Sequence, residues 1–312
     1  MKDRVSIIGA GNVGSTLAMR VVESRLADVA LIDVVPGLAE GKAMDLEDAS
    51  YIIDHDCKIS GSTDMSMVQG SRVVVITAGL ARQPGMTRDD LLKKNAEIVK
   101  DIVVKIKQFC ANCIMIIVTN PLDAMTYLAY KLSRFESNRV IGMAGILDSA
   151  RLSAVINRKL SSRQNNIYSL IMGSHNDTMV PVFTKTTISG KAILDIFKKE
   201  EIDDVRHKTA NRGAEIVKCL QKGSAYYAPS AGGFAMIKSI LKNEKRVIPA
   251  SVYLNGQYGI DGLCIGVPAI LGQNGIEKVV EIDLAAEEKQ ALNLSIKDAR
   301  ETVDKIKNYM TE

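Results

Sequence analysis

Three histidines stand in this chain, and one of them is placed to pass a proton. His175 lies in Ile171-Met-Gly-Ser-His-Asn-Asp-Thr-Met-Val-Pro181, between glycine and proline turn signals and with Asp177 close by. Imidazole titrates near neutrality, so a histidine with a carboxylate to orient it is a candidate general acid or base, although a lone histidine in a turn is more often structural. His55 and His207 lie in charged, helix-like surroundings and are read as surface residues. Upstream, Asp148 and Arg151 fall three apart on one face of a helix, which makes either an exposed ion pair or a carboxylate and a guanidinium aimed into a site. Arg82 and Arg88 occupy the glycine- and proline-punctuated run Thr77-Ala-Gly-Leu-Ala-Arg-Gln-Pro-Gly-Met-Thr-Arg88; by themselves they are loop charges, and over a ligand they are anion contacts. Asn120, at the end of Ile114-Met-Ile-Ile-Val-Thr-Asn120, could bond a carboxamide or a substrate oxygen, or cap the helix that starts at Pro121.

The elements that must position these groups begin with Val5-Ser-Ile-Ile-Gly-Ala-Gly-Asn-Val-Gly14. An apolar strand runs into Gly9 and Gly11, which tolerate backbone angles a Cβ forbids, and Gly14 lets the next helix pack on the strand. Such a turn offers amide N–H groups to a pyrophosphate. A second strand, 29–32, ends in Asp33, where a carboxylate would bond a ribose diol and repel a 2′-phosphate, so the pattern predicts NAD rather than NADP. Further strands are expected at 57–59, 73–76, 114–118 and 139–141, alternating with helices over 36–46 and 89–109. That alternation predicts an α/β fold with a doubly wound parallel Rossmann sheet. Near Gly145 the pattern becomes less regular, which divides the chain into a dinucleotide-binding domain, 1–145, and a catalytic α+β lobe, 146–312. The lobe is expected to hold a long helix over 203–221, a possible pocket lining at 224–230, antiparallel strands over 246–254 and 263–271, and a terminal helix over 285–310.

Composition narrows the partners. Lys+Arg 40 against Asp+Glu 36 leaves +4 with no basic block, so nucleic acid is not implied. The apolar runs are strand-length, well short of a spanning helix, and the start is read as passing directly into the first strand, so no cleavable leader is expected. No membrane association is therefore expected. Five scattered cysteines suit reduced thiols in the cytoplasm, and Cys110-Ala-Asn-Cys113, lacking a second pair or nearby histidines, reads as packing rather than a metal site.

Taken in order, Gly9-Ala-Gly-Asn-Val-Gly14, Asp33, Ala81-Arg-Gln-Pro-Gly-Met-Thr-Arg88, Val118-Thr-Asn-Pro-Leu122 with Leu147-Asp-Ser-Ala-Arg151, and Gly173-Ser-His-Asn-Asp177 resemble the lactate/malate dehydrogenase superfamily over essentially the whole length. The resemblance is to its NAD-dependent malate-type members within the lactate-dehydrogenase-like group. It implies that His175 is the proton donor and acceptor, that Asp148 orients it, and that Arg151 grips the substrate C1 carboxylate. Arg88 would polarise the reacting carbonyl beneath a closing lid with ends at Gly79 and Pro84-Gly85. Asn120 would contact substrate and nicotinamide, and cofactor contact would extend to Asn12, Asn95 and Thr119. Arg82 stands where members acting on malate carry arginine. Set against a methyl group it would be a desolvated, unpaired charge costing on the order of 3 kcal/mol, roughly two powers of ten in rate. The resemblance thus implies reversible oxidation of (S)-malate to oxaloacetate in the citric acid cycle by a cytoplasmic homotetramer or dimer. Lactate or another 2-hydroxy acid, or a catalytically weak NAD-binding protein, are the competing readings. One departure is Asn176, where the family has glycine; asparagine is the side chain best able to take a positive φ there.

Overall fold

Short aliphatic runs build the centre of the molecule. The computed structural model describes residues 2–80, 86–160 and 166–310. Its strands β1 (Arg4–Ile8), β2 (Asp28–Ile32), β3 (Ile59–Ser62), β4 (Val73–Ile76), β5 (Ile114–Ile117) and β6 (Val140–Gly142) pair in parallel. β4 and β5 are buried at every position, as unbroken aliphatic strands covered on both faces must be. The covering helices are α1 (Asn12–Glu23), α2 (Leu38–Ile53), α3 (Arg88–Phe109) and α4 (Leu122–Ser133). Spatial order β3-β2-β1-β4-β5-β6 reverses between β1 and β4, which opens a crevice at the carboxyl ends of those strands. The register sets Ile8 beside both Ile32 and Ile76, so Gly9, Asp33 and Thr77 emerge side by side at that crevice.

The elements differ from the sequence reading in detail. β3 starts at Ile59 rather than at Cys57, because the Asp28 carboxylate takes the Lys58 amide at 2.8 Å and ends the ladder there. α2 continues past Leu46 to Ile53 and stops only where Asp54 turns left-handed. His55, expected at the surface, is 8% exposed, and neither ring nitrogen has a partner among the described residues. Its charged neighbours Asp54 and Asp56 are the ones that face solvent, paired with Arg25 and Lys2. His207 is exposed as expected.

The rest of the chain supplies α5 (Gly145–Lys159), the two-residue strands β7 (Ile167–Tyr168), β8 (Ile171–Met172), β9 (Val180–Pro181), β10 (Thr187–Ile188) and β11 (Lys191–Ala192), and the helices α6 (Lys199–Leu220) and α7 (Tyr227–Leu241). Strands β12 (Arg246–Asn255), β13 (Asp261–Gly272) and β14 (Gly275–Val279) form an antiparallel meander before α8 (Ala286–Asp304). The meander joins the parallel sheet through Ser251 beside Gly142, giving nine strands in one layer. Glycine is required at 142 because a Cβ there would lie 2.5 Å from Thr126 Oγ1 and 2.7 Å from Ser251 Cβ. Leu152, Ile156, Phe183, Ile193 and Val205 make a second, smaller apolar cluster under α5 and α6. Residues 224–230 lead into α7, whose Ser230 Oγ accepts from Arg20 Nε at 3.1 Å and so ties α7 to α1.

Candidate active site

At the carboxyl end of β1 the chain turns at Gly9, with φ +106° and no room for a Cβ, which would meet the Ala78 nitrogen at 2.6 Å. A Cβ on Gly14 would lie 1.8 Å from the Gly9 carbonyl oxygen, so helix and turn pack as closely as glycine alone permits. Gly11 differs: nothing lies within 4 Å of its would-be Cβ, and no side chain caps α1. The uncapped helix start, with Asn12 as its first residue, therefore borders open space where an anion can take the place of a cap. Asp33 holds the turn from β2, accepting from the Ala10 amide at 2.6 Å through one oxygen and from the Val35 amide at 3.0 Å through the other. Each oxygen keeps a further lone pair for a hydroxyl. From α2, Lys42 donates to the Ala10 carbonyl at 2.6 Å, bringing a cation to the same turn. In the sequence Lys42 is marked only by its position in the helix after Asp33. A glycine cradle, a bare helix start, a carboxylate and an ammonium together fit a dinucleotide.

The second cluster gathers on α5, α4 and the turn after β8. His175 Nδ1 lies 2.6 Å from Asp148 Oδ2, and the other Asp148 oxygen lies 3.3 Å from Arg151 Nη1. An ionised carboxylate can only accept, so Nδ1 carries the proton and Nε2 is left to exchange one with a ligand. The Asp148 side chain is 2% exposed and that of His175 13%, which leaves little water to screen the pair. Burial by itself pulls the imidazole pKa down. The Asp148 charge and hydrogen bond more than offset this, with a smaller contribution from Asp123, and the pKa stands above its ordinary value. Asp123, in the first turn of α4, escaped the sequence reading. Its carboxylate accepts from the His175 amide at 2.8 Å and from Ser251 Oγ at 2.6 Å, and burial raises its pKa. Only an acid at a helix start was visible there, which is an ordinary helix-dipole partner. Arg151 Nε is buried without a partner, so the guanidinium keeps donor capacity for an anion.

The segment expected to close as a lid is anchored at the residues that flank it. α3 begins at Arg88 behind a Thr87–Asp90 capping box. Asn95, 1% exposed, receives the Leu80 amide at 2.8 Å and donates to the carbonyls of Leu80 at 3.2 Å and Asn120 at 2.6 Å. Asn95 is thus engaged as a clasp joining the lid root to the end of β5. Thr119 is buried and donates to the Ala78 carbonyl at 2.6 Å, and its methyl explains Gly79, where a Cβ would approach to 2.5 Å. A cleft of about 350 Å³ brings together Arg88, Asn120 and His175. Asn120 is exposed. Arg88 is largely exposed too and pairs with Asp177 at 3.0 Å. Arg151 does not line this cleft; it meets the histidine through Asp148. Arg82, Pro84 and Gly85 lie outside the described residues. Asn176 has no positive φ, contrary to the reading from its sequence position. It closes the turn with its side chain instead, its carbonyl oxygen accepting from the Thr178 amide at 2.8 Å and Oγ1 at 2.7 Å. The positive φ falls on Gly173, at +83°.

Comparison with known proteins bears on both clusters. Residues 3–142 match the family model of the lactate/malate dehydrogenase NAD binding domain, and residues 146–310 match that of the lactate/malate dehydrogenase alpha/beta C-terminal domain. The chain is 47% identical to malate dehydrogenase of Synechocystis sp. over 96% of its own length and 93% of the relative's. It is 45% identical to malate dehydrogenase of Heliobacterium modesticaldum, covering 99% and 98%. Among solved structures, malate dehydrogenase of Cryptosporidium parvum superposes with a TM-score of 0.96 at 39% identity, covering 99% and 100%. Lactate dehydrogenase of the same organism, complexed with lactic acid and nicotinamide adenine dinucleotide, superposes with a TM-score of 0.95 at 32% identity, covering 99% of each chain.

Proposed function

We propose that this chain, which belongs to the lactate/malate dehydrogenase family, catalyses the reversible NAD-linked oxidation of (S)-malate to oxaloacetate. The observation that carries the chemistry is one buried carboxylate, Asp148, bonded to His175 on one oxygen and to Arg151 on the other. In the reducing direction a 2-keto acid gains a proton at oxygen while negative charge builds there. A protonated His175 supplies that proton and stabilises the charge more in the transition state than in the ground state. Arg151 holds the C1 carboxylate, with Nε a donor that has no partner among the described residues. Arg88 reinforces the developing oxyanion once it leaves Asp177, and Asn120 orients the ligand in the cleft. Gly9, Gly11, Asn12, Gly14 and Asp33 hold the dinucleotide, while Asn95 and Thr119 shape its seat from beneath. Bound NAD carries the hydride. Residues 1–145 form the cofactor-binding part and 146–312 the catalytic part in this reading.

Fold likeness alone does not choose the substrate, since the malate and lactate enzymes superpose equally well. Arg82 and eight curated relatives named malate dehydrogenase at 42–47% identity favour the dicarboxylate. The test is steady-state kcat/KM for oxaloacetate and pyruvate with NADH; a preference for pyruvate overturns the assignment. A mixture inert to both keto acids would favour a binding protein.

A homotetramer or dimer is part of the proposal. α2 leaves Tyr51 and Ile52 almost fully exposed, and α6 leaves Val217 and Leu220 half-exposed, apolar area that a second copy would cover. Sedimentation equilibrium tests this, and a monomer at working concentration refutes it. Cytoplasmic residence is proposed as well. It is supported by five cysteines that are all free thiols; no helix among the described residues is long and apolar enough to cross a membrane.

A further inference from the structure

The turn carrying His175 is fastened to α8 at two adjacent levels. Ser295 Oγ receives the Ser174 amide at 2.7 Å and lies 3.2 Å from Thr178 Oγ1, and its carbonyl accepts from Ser174 Oγ at 3.3 Å. Three residues further along the same helix face, Asp298 Oδ2 accepts from Asn176 Nδ2 at 2.7 Å. Ser295 is fully buried and holds the backbone of the turn. The Asp298 contact is of another kind, since it depends on a side chain at the position that follows the histidine. Asn176 is used in both directions: its carbonyl closes the turn onto Thr178, and its amide nitrogen reaches α8. A glycine at 176, the residue the family resemblance leads one to expect, could make neither bond.

Asn176 and Asp298 both line the cleft that holds His175, Asn120 and Arg88, so the link lies beside the reacting groups. The Asp123 carboxylate takes the His175 amide. The turn is thereby held from two helices, α4 and α8, while Asp148 holds the ring from α5.

We propose that Asp298 is a positioning residue which, through Asn176, fixes the direction in which the His175 ring meets its ligand. This rests on His175 being the proton donor and acceptor. Asp298 gives no proton and needs no contact with substrate; it sets the geometry of a group that does. A carboxylate is suited to the task because a hydrogen bond to a charged acceptor is shorter and stronger than a neutral one.

The test uses the full-length chain with NADH and oxaloacetate, measuring kcat, KM, NADH affinity by fluorescence titration and Tm for four variants beside the wild type. In Asp298→Ala, kcat should fall roughly ten-fold as the ring loses its fixed direction. KM, NADH affinity and Tm should stay near wild type, since Asp298, although it lines the cleft, holds neither substrate nor dinucleotide in this proposal. Asp298→Asn keeps an oxygen acceptor for Asn176 and should recover most of kcat. Asn176→Gly removes the link from the other side and should lose about as much as Asp298→Ala, and the double variant should lose no more than either. Three results overturn the proposal: wild-type kcat in Asp298→Ala, no recovery in Asp298→Asn, or losses that multiply in the double variant. A wild-type chain inert towards oxaloacetate and pyruvate alike would instead sink the reading of His175, and this proposal with it.

Discussion

Replacing Asp148 by asparagine is the sharpest perturbation, because one side chain serves two partners. Its oxygens meet His175 Nδ1 at 2.6 Å and Arg151 Nη1 at 3.3 Å. An amide offers one acceptor and one donor group, so it can satisfy only one partner and must turn N–H groups towards the other. The lost interaction is a buried hydrogen bond between charged groups, worth about 1.5–3 kcal/mol. A Coulomb estimate for unit charges about 4 Å apart at an effective dielectric of 20 gives about 4 kcal/mol as the upper bound. At 1.36 kcal/mol per decade, kcat/KM for oxaloacetate reduction should fall by roughly one to three powers of ten. The pH profile should move as well. Burial lowers the His175 pKa and Asp148 more than restores it, so the protonated acid survives above the ordinary value of 6.5 and is lost as pH rises through the higher, folded value. Without Asp148 that falling limb should shift to lower pH. By the same linkage, the pair's contribution to stability is complete below pH 6.5 and fades through the folded pKa, so the Tm gap between wild type and Asp148→Asn should be widest in mild acid. Initial rates of NADH consumption across the pH range, with Tm measured in the same buffers, decide the matter. A variant within about three-fold of wild type at its plateau, or a limb that stays in place, would refute the role given to Asp148.

Four further outcomes are expected. Arg82→Gln should narrow or invert the oxaloacetate-to-pyruvate ratio of kcat/KM by up to roughly two powers of ten, because it removes the charge that a methyl group cannot partner. Arg151→Ala should depress both substrates together, and a ratio altered by it would contradict the assignment of Arg151 to the shared C1 carboxylate. His55→Phe should raise Tm by a few degrees, since two buried ring nitrogens without partners cost about 1–3 kcal/mol that an apolar ring of similar shape does not incur. A lower Tm would show that the nitrogens are satisfied after all. Ile52→Glu, on the exposed face of α2, should drive the assembly towards smaller species in sedimentation; an unchanged oligomer would exclude that face as the interface.

Much of this arrangement was legible in the chain because its causes are local. Val73 to Ile76 could be assigned as a buried parallel strand from side chains alone, and Gly9 and Gly14 follow from close approaches that any Cβ would violate. Asp33 was found because strand, glycine turn and helix have fixed lengths, which bring the tip of β2 beside the tip of β1. What escaped depends on contacts between distant segments. Asp123 reads locally as an acid in a helix's first turn, and only the return of the chain at His175 and Ser251 makes it part of the site. His55 sits between two aspartates that do face solvent, so its sequence surroundings pointed outward while its ring packs inward. The union of the meander with the parallel sheet turns on Gly142 opposite Ser251, a pairing between residues far apart in the chain.

Asn176 shows how a local rule can name the right position for the wrong reason. The expected glycine suggested a backbone in the left-handed region, and asparagine was read as the side chain most able to follow it. The backbone instead places its positive φ at Gly173, where a Cβ would also collide with Ser295 Oγ at 2.6 Å. Freed from that constraint, position 176 can carry a side chain, and the one it carries bonds within the turn and across to α8. Conformational permission and chemical use are therefore separate properties of the same turn. If the asparagine merely filled a permissive position, Asn176→Gly would leave the rate alone. If its two bonds hold the imidazole in place, the rate falls and Asp298→Ala falls with it.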